Sequence, residues 1–486
     1  MRRHTCWTLA MLSMLMLAPG AGAQRPGGPL LEAVASAMGG REQVLGVGTL
    51  VLEGIGENYN LGQNTSPNAA LPVFAVTELR RTIDFGNRRW WQDHTREPRF
   101  LTGNPAPQRI RSGYDGVAFD VLPDGTIRRA AARADVDRAN ELLYHPIGFL
   151  RVALTPGTEL TEERSRGDLR HVRMNAAGNK FAIFIDRRTM LPARIEKVVY
   201  HPVLGDAVLA TELSNWQRVD GIMQPMRIAQ RLDGRWPLSD LMFSKVSMNA
   251  AVGDSPASAE IKSAPLTVPT ITVTSEEISP GVWYLAGQSH HSVAIEMRDH
   301  ILLVEAPQTE ARTLAVIQRA RTLRPGKPVR AVISTHHHFD HTGGVRAALA
   351  EGLTVITHAR SEAFLEEIAR RRHFIVADAL AGSRRRPRVD GVGARTVLSD
   401  GTRRVEIHQL QGSKHAETLL MVYLPAEKLL IEADVYSPPA LNATTVPPQP
   451  FAANLIENID RLRLDVQRIV PIHGRVVPIA DLRAIQ

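Results

Sequence analysis

Hydrophobic and polar positions change rhythm along this chain. From about residue 30 to 252, apolar residues come in short runs with partial two-residue alternation, the mark of strands with one buried face. Residues 49–53 and 74–79 are of this kind. Residues 117–122 and 126–127 flank Pro123-Asp124-Gly125, an Asp-Gly turn of the sort that closes a hairpin. A second hairpin is predicted from residues 181–185 and 193–199, about a turn at 186–189. One stretch breaks the rhythm: Val136, Ala139, Leu142 and Leu143 recur at helical spacing within residues 131–143, and Pro146 lies just beyond. The pattern predicts a curved antiparallel sheet with a helix or two.

Residues 253–269 are rich in Ser, Ala and Pro and read as a linker. After it strands and helices mix. Short strands are predicted at 281–285, 293–297 and 301–305, and helices at 309–323 and 344–351. A strand at 354–357, a helix over 361–372 and strands at 405–408, 418–423 and 428–431 follow. This mixture predicts an α/β layered domain. The expected organisation is a β-rich domain over 24–252, the linker, and an α/β domain over 270–486.

Residues 1–23 read as a secretory signal peptide: Arg2-Arg3, an apolar centre at 7–17, then Ala21-Gly22-Ala23. The apolar run is shorter than the ~20 residues a membrane span needs. Cleavage after Ala23 would remove Cys6, the only cysteine, leaving no disulfide, no Cys-ligated zinc and no cysteine nucleophile. The expected location is an exported compartment, most simply a bacterial periplasm.

Composition adds less. A length of 486 residues with 44% hydrophobic and 22% charged residues fits two or three ordinary domains and excludes disorder. The net charge of +8 comes mostly from Arg, in runs such as Arg370-Arg371-Arg372 and Arg384-Arg385-Arg386. No aromatics interleave these runs, so they read as a solvated basic face and not as a nucleic-acid surface.

The chemistry lies in one segment. Val332-Ile333-Ser334 reads as a buried strand end and runs into Thr335-His336-His337-His338-Phe339-Asp340-His341-Thr342-Gly343-Gly344. In extended chain alternate residues share a face, so His336, His338 and Asp340 point together, and His341 turns toward them as a helix begins. Imidazole and carboxylate suit a borderline ion such as zinc. Two ions with open positions need roughly seven such ligands, so more must arrive from elsewhere. His415, Asp434 and His473 each stand beside a predicted strand end.

The series His-x-His-x-Asp-His, then a lone His, then Asp, then His-Gly resembles the metallo-β-lactamase superfamily over residues 270–486. The resemblance implies a four-layer αββα sandwich with the site at one edge of its two sheets. It implies that His336, His338 and His415 hold one metal, that Asp340, His341 and His473 hold a second, and that Asp434 bridges them. Two zinc ions are the implied cofactor, with iron or manganese as alternatives. A bridging hydroxide would be the nucleophile, oriented by Asp340 as the catalytic residue. Glu305 stands where the family commonly has Asp supporting a ligand from behind. Asp434 and the missing cysteine place the chain nearer to glyoxalase-II-like thioesterases, lactonases and phosphodiesterases than to β-lactamases with a Cys ligand.

The implied function is an exported hydrolase of a small ester, thioester, lactone or amide, β-lactams included. A mononuclear iron persulfide dioxygenase shares part of the motif and is the alternative; flavin-linked di-iron relatives usually carry Glu where His338 stands. Residues 190–196 and 219–225 resemble periplasmic lipoprotein carriers, which implies a lipid or envelope-protein partner for the first half. A third reading follows, in which that half carries the biology and the second is an accessory metal domain. His337 is expected to face away from the ligands, and His290-His291 to lie in a plain loop or on the pocket rim. His358, His373 and His408 are expected at the surface or satisfied. Lys414 and Tyr436 are candidates for substrate contact or plain exposed residues, and residues 437–451, rich in Pro, for a substrate loop.

Overall fold

The computed structural model describes residues 27–100, 106–176, 178–266, 268, 270–441 and 448–485. The expected signal segment lies outside them, as does part of the Pro-rich loop. Among the described residues, no helix is long and apolar enough to cross a membrane.

The first half is one 13-stranded antiparallel sheet. Its first and last strands, Thr49–Tyr59 and Trp236–Met248, pair in the middle. From them one meander runs outward through Val73–Asp84, Arg89–Pro98, Gln108–Tyr114 and Ala118–Val121 to Ile127–Arg129. The other passes through Ile222–Leu232, Gly205–Val219, Pro192–His201, Asn179–Asp186 and Leu169–Ala176 to Glu159–Arg166. Both expected hairpins are present, with Val121 opposite Ile127 and Ile183 opposite Ile195. The sheet bends where register shifts around Gly54 and Gly56. A Cβ there would lie 2.0 Å from the Met242 carbonyl oxygen and 2.2 Å from that of Asp240, so only glycine lets the strands approach.

Helices Gly28–Met38, Ala132–Asn140 and Pro146–Ala153 belong to this half. Its core joins Leu31, Met38, Leu50, Ile147, Phe149 and Ile183. Three details differ from the sequence pattern. Residues 28–38 form a helix where strands were expected. Val136 is 50% exposed, because the helix there lies on the sheet by its other face. Pro146 opens a second helix at its first turn, where its missing N–H costs nothing.

The second half holds two facing sheets. Strands Thr274–Ser279, Val282–Ala286, Ser292–Glu296 and Ile301–Val304 pair antiparallel, and Val329–Ile333, Thr354–His358 and Arg388–Val392 extend the sheet in parallel. The other sheet runs Arg395–Ser399, Arg404–Gln409, Leu420–Leu424, Leu429–Glu432, Arg468–Pro471, Val477–Pro478. Val293, Val304, Ile333, Ile407, Val422 and Ile431 fill the space between them. Helices Glu310–Leu323, Val345–Ala350 and Ala359–Arg370 cover one outer face through Val316, Ala348 and Leu365. Helices Ala452–Leu462 and Ile479–Arg483 cover the other through Leu455, Ile459 and Leu482. The layers run αββα, as the resemblance implies.

Between the halves, the described residues of 250–273 carry only the short helix Ala259–Ser263. Polar contacts join the halves: Arg371 donates to the Leu204 carbonyl and pairs with Asp233, and the Asp206 carboxylate accepts from Phe374 N–H at 2.7 Å.

Candidate metal centre

Strand Val329–Ile333 ends in a hydrogen bond from Ser334 N–H to the Ile356 carbonyl (2.9 Å). The chain stays extended to His338 and then folds into the short helix Phe339–Thr342. This turn places the His338 ring 4.5 Å and the His341 ring 4.2 Å from that of His336, centroid to centroid. His415 comes from the loop before Leu420–Leu424, Asp434 from the end of Leu429–Glu432, and His473 from the end of Arg468–Pro471. Strand ends of an α/β layer gather a site because the loops there face one another across the crevice.

The structure brings all seven predicted residues together. His336, His338, His415 and Asp434 offer donor atoms that all lie within 4.8 Å of one another. Asp340, His341 and Asp434 form a second such group that shares Asp434 with the first. The Asp434 carboxylate sits between them. Its Oδ2 is 3.0 Å from His415 Nε2 and 3.7 Å from His336 Nε2, whereas Oδ1 is 3.0 Å from His341 Nε2 and 2.7 Å from His473 Nε2.

Outer partners fix which ring nitrogen faces inward. His341 Nδ1–H donates to Glu305 Oε2 (2.9 Å), His473 Nδ1–H to the Ser289 carbonyl (2.8 Å), and His338 Nε2–H to the Asn64 carbonyl (2.9 Å). Carboxylate and carbonyl oxygens only accept, so each ring turns its lone pair to the cluster. Glu305 is fully buried, and its Oε1 accepts from Thr335 N–H at 2.8 Å. The extra methylene thus reaches the role that the family commonly gives to Asp. Glu305 and Asp434 both adopt left-handed backbone, with φ of 74° and 64°, a strain that non-glycine residues keep at functional strand ends.

The donors fit a metal. His336 and His415 bring Nε2 atoms to 3.3 Å from each other, and two such lone pairs repel unless a proton or cation lies between them. His338 Nδ1, His341 Nε2 and Asp434 Oδ1 are buried without an aligned hydrogen bond, which a cation among them would relieve. Burial, reinforced by neighbouring imidazoles, holds His336 and His338 well below the usual histidine range, neutral as ligands must be. For Asp434 burial opposes ionisation, but His341 and the other rings override it and hold the carboxyl well below its usual range. His341 is the reverse case: burial disfavours its charge, and Asp434 and Glu305 raise it well above the usual value.

Of two further contributors, the sequence places His290 in a plain loop or on the pocket rim, and Gln63 escapes the sequence pattern. His290 Nε2 lies 3.2 Å from Asp340 Oδ2, its ring 4.2 Å from that of His473, and with His341 and His473 it forms a third potential ligand group. The only signal was a His-His pair before strand Ser292–Glu296. Gln63, from the first half, donates through Nε2 to Asp340 Oδ1 (2.8 Å), and nothing in its sequence context marked it.

Of the other candidates, His337 is buried away from the cluster with Nδ1 3.3 Å from Thr418 Oγ1, and His291 Nδ1 accepts from Gly287 N–H (3.1 Å). His358 caps helix Ala359–Arg370, and His373 and His408 are buried, so none of the three is a surface residue. Lys414 is exposed. Tyr436 is not exposed: it is 2% accessible, in the core with Phe451 and Leu455.

Residues 289–471 match the family described as the metallo-beta-lactamase superfamily, a stretch that ends short of His473. No curated protein matches the chain. Among solved structures, a metallo-beta-lactamase from Pontibacter korlensis is 18% identical and covers 44% of this chain and 97% of its own (TM-score 0.35). The metallo-beta-lactamase FIM-1 from Pseudomonas aeruginosa, in a mono-zinc form, is 20% identical over 44% of this chain and 94% of its own (TM-score 0.35). DIM-1 metallo-beta-lactamase is 16% identical with the same two coverages (TM-score 0.34). The family match over residues 289–471 and the motif within it give the C-terminal part of this chain a metallo-beta-lactamase fold with histidine and aspartate groups that could hold metal.

Proposed function

We propose that this centre holds two zinc ions and hydrolyses a small ester, thioester, lactone or amide. One observation carries the reading: the two oxygens of Asp434 face different histidines, Oδ2 toward His336 and His415, Oδ1 toward His341 and His473. Such a placement supports the reading in which Asp434 would serve both groups of ligands. When bound, such ions acidify a water molecule and polarise the scissile group.

The chain's own residues supply the rest. Glu305, Ser289 and Asn64 hold three ligand rings in fixed tautomers, so no reorientation is needed during turnover. Asp340 is ionised, with His290 and His341 outweighing burial, and can take a proton at Oδ2 while Gln63 holds Oδ1. All the ligands are nitrogen or oxygen donors, which suits zinc and sets the site apart from centres built on a cysteine.

Metal analysis together with a panel of lactone, thioester, ester, β-lactam and phosphodiester substrates tests the proposal. Two zinc ions per chain and turnover of one carbon-centred class are expected. His338→Ala should cost more than the roughly 100-fold that loss of an outer partner costs. A single iron per chain with oxygen uptake, and no hydrolysis on the panel, would overturn it.

A further inference from the structure

The loop between strands Thr49–Tyr59 and Val73–Asp84 leaves its own sheet and lies against the ligand segment of the second half. Four successive residues make contact. The Gly62 carbonyl accepts from Phe339 N–H (3.2 Å), Gln63 donates to Asp340, the Asn64 carbonyl accepts from His338, and the Thr65 carbonyl accepts from Glu417 N–H (2.7 Å). Every partner is a ligand, or adjoins one, or lies two positions from His415.

The loop is shaped for this seat. Gly62 adopts φ +77°, and a Cβ there would lie 2.2 Å from the Phe339 ring, so no larger residue brings the chain as close. Asn64 is buried, and its amide bonds the Ser66 and Ala69 carbonyls, which fixes the curve that aims its own carbonyl outward.

We propose that residues 62–65 of the first half are a working part of the metal centre. The Asn64 carbonyl takes the Nε2 proton of His338 and thereby points the Nδ1 lone pair at the first ligand group. The Gln63 amide holds Oδ1 of Asp340 and leaves Oδ2 facing His290 and His341 (3.2 and 3.9 Å). Asn64 and Gln63 are positioning residues, and the antiparallel domain is a fixed wall of the site, not an appended carrier. The proposal rests on the metal-hydrolase reading above.

The test uses the full-length chain and three variants. Gly62→Ala displaces the loop, Gln63→Ala removes one amide, and Asp206→Ala removes the carboxylate that accepts from Phe374 N–H (2.7 Å) between the halves, a contact that involves neither the loop nor a ligand. Zinc affinity by chelator competition and the visible spectrum of the cobalt(II)-loaded protein report the ligand field directly, without turnover. Gly62→Ala should weaken one ion about 10–100-fold and shift the spectrum. Gln63→Ala should alter the spectrum and weaken only the ion beside Asp340, and Asp206→Ala should do neither. Should Gly62→Ala fail to fold by circular dichroism, Gln63→Ala decides.

Wild-type affinities and spectra in the folded Gly62 and Gln63 variants would overturn the proposal, as would equal losses in Asp206→Ala, which would make the contacts mere interface. A parent chain that takes up neither zinc nor cobalt would overturn the hydrolase reading itself, and this proposal with it.

Discussion

Glu305 shows how one methylene is absorbed. Its carboxylate accepts from two donors, Thr335 N–H and His341 Nδ1–H, with no exposure to solvent. Glu305→Gln keeps the size but turns an amide NH₂ toward one of those donors, leaving a buried N–H facing an N–H. Metal affinity should fall about 10–100-fold with the fold intact, as a competition titration would show. Affinity equal to the parent's would mean that the ring is held by other contacts. His415, Asp434 and His473 are reached through predicted strand ends and the family resemblance, whereas His336, His338, Asp340 and His341 were legible because they are local and alternation along extended chain sets their facing. His290 was not, because its approach to Asp340 depends on how the loop before Ser292–Glu296 packs over the strand ends.

Helix Pro146–Ala153 brings a different chemistry to the scale of elements. His145 caps it, its Nδ1 accepting from Ile147 N–H (3.3 Å), and burial pushes this histidine down to about 3 from an ordinary 6.5. The sign follows from linkage. The folded state keeps the ring neutral while the unfolded chain takes up a proton below pH 6.5, so the stability His145 supplies is present above 6.5 and is lost as pH falls toward about 3. His145→Asn retains a capping acceptor and removes the titration. Urea midpoints from pH 7 to pH 4 should fall less steeply in the variant, by an amount on the order of a few kcal/mol over the full window. Parallel curves would dismiss the idea. Six of the thirteen strands of the first sheet could be read from short apolar runs, whereas others, such as Arg89–Pro98 and Gln108–Tyr114, bury too few positions to show one. Helix Gly28–Met38 was missed although Leu30, Leu31, Val34, Ala35 and Met38 are all buried at helical spacing, because the surrounding strand rhythm was carried through it.

At the scale of the whole molecule, the meeting of the halves was not legible. Gln63 and Asp340 are 277 positions apart, and no local pattern encodes a contact at that distance. Charge misled in the same way. Arg384, Arg385 and Arg386 are exposed as a basic face should be, but the Arg371 side chain is only 15% exposed because it reaches across to Asp233 and the Leu204 carbonyl. The wall supplied by residues 62–65 also bears on traffic through the site. His336 and His341 have no exposed side-chain surface, and the Asp434 side chain is 11% exposed, whereas those of His473 and Asp340 are 23% and 38% exposed. Among these side chains Asp340 and His473 are the most exposed, so they form the open side of the site, and the first ligand group lies behind them. A histidine-acylating reagent should mark His473 before any other ligand histidine, which peptide mass mapping over time would reveal; early marking of His338 would mean a second entrance. Under the proposed hydrolase reading, selection among substrates falls to the residues around Asp340 and His473, past which a bulky acyl group would have to arrive with its reacting bond foremost.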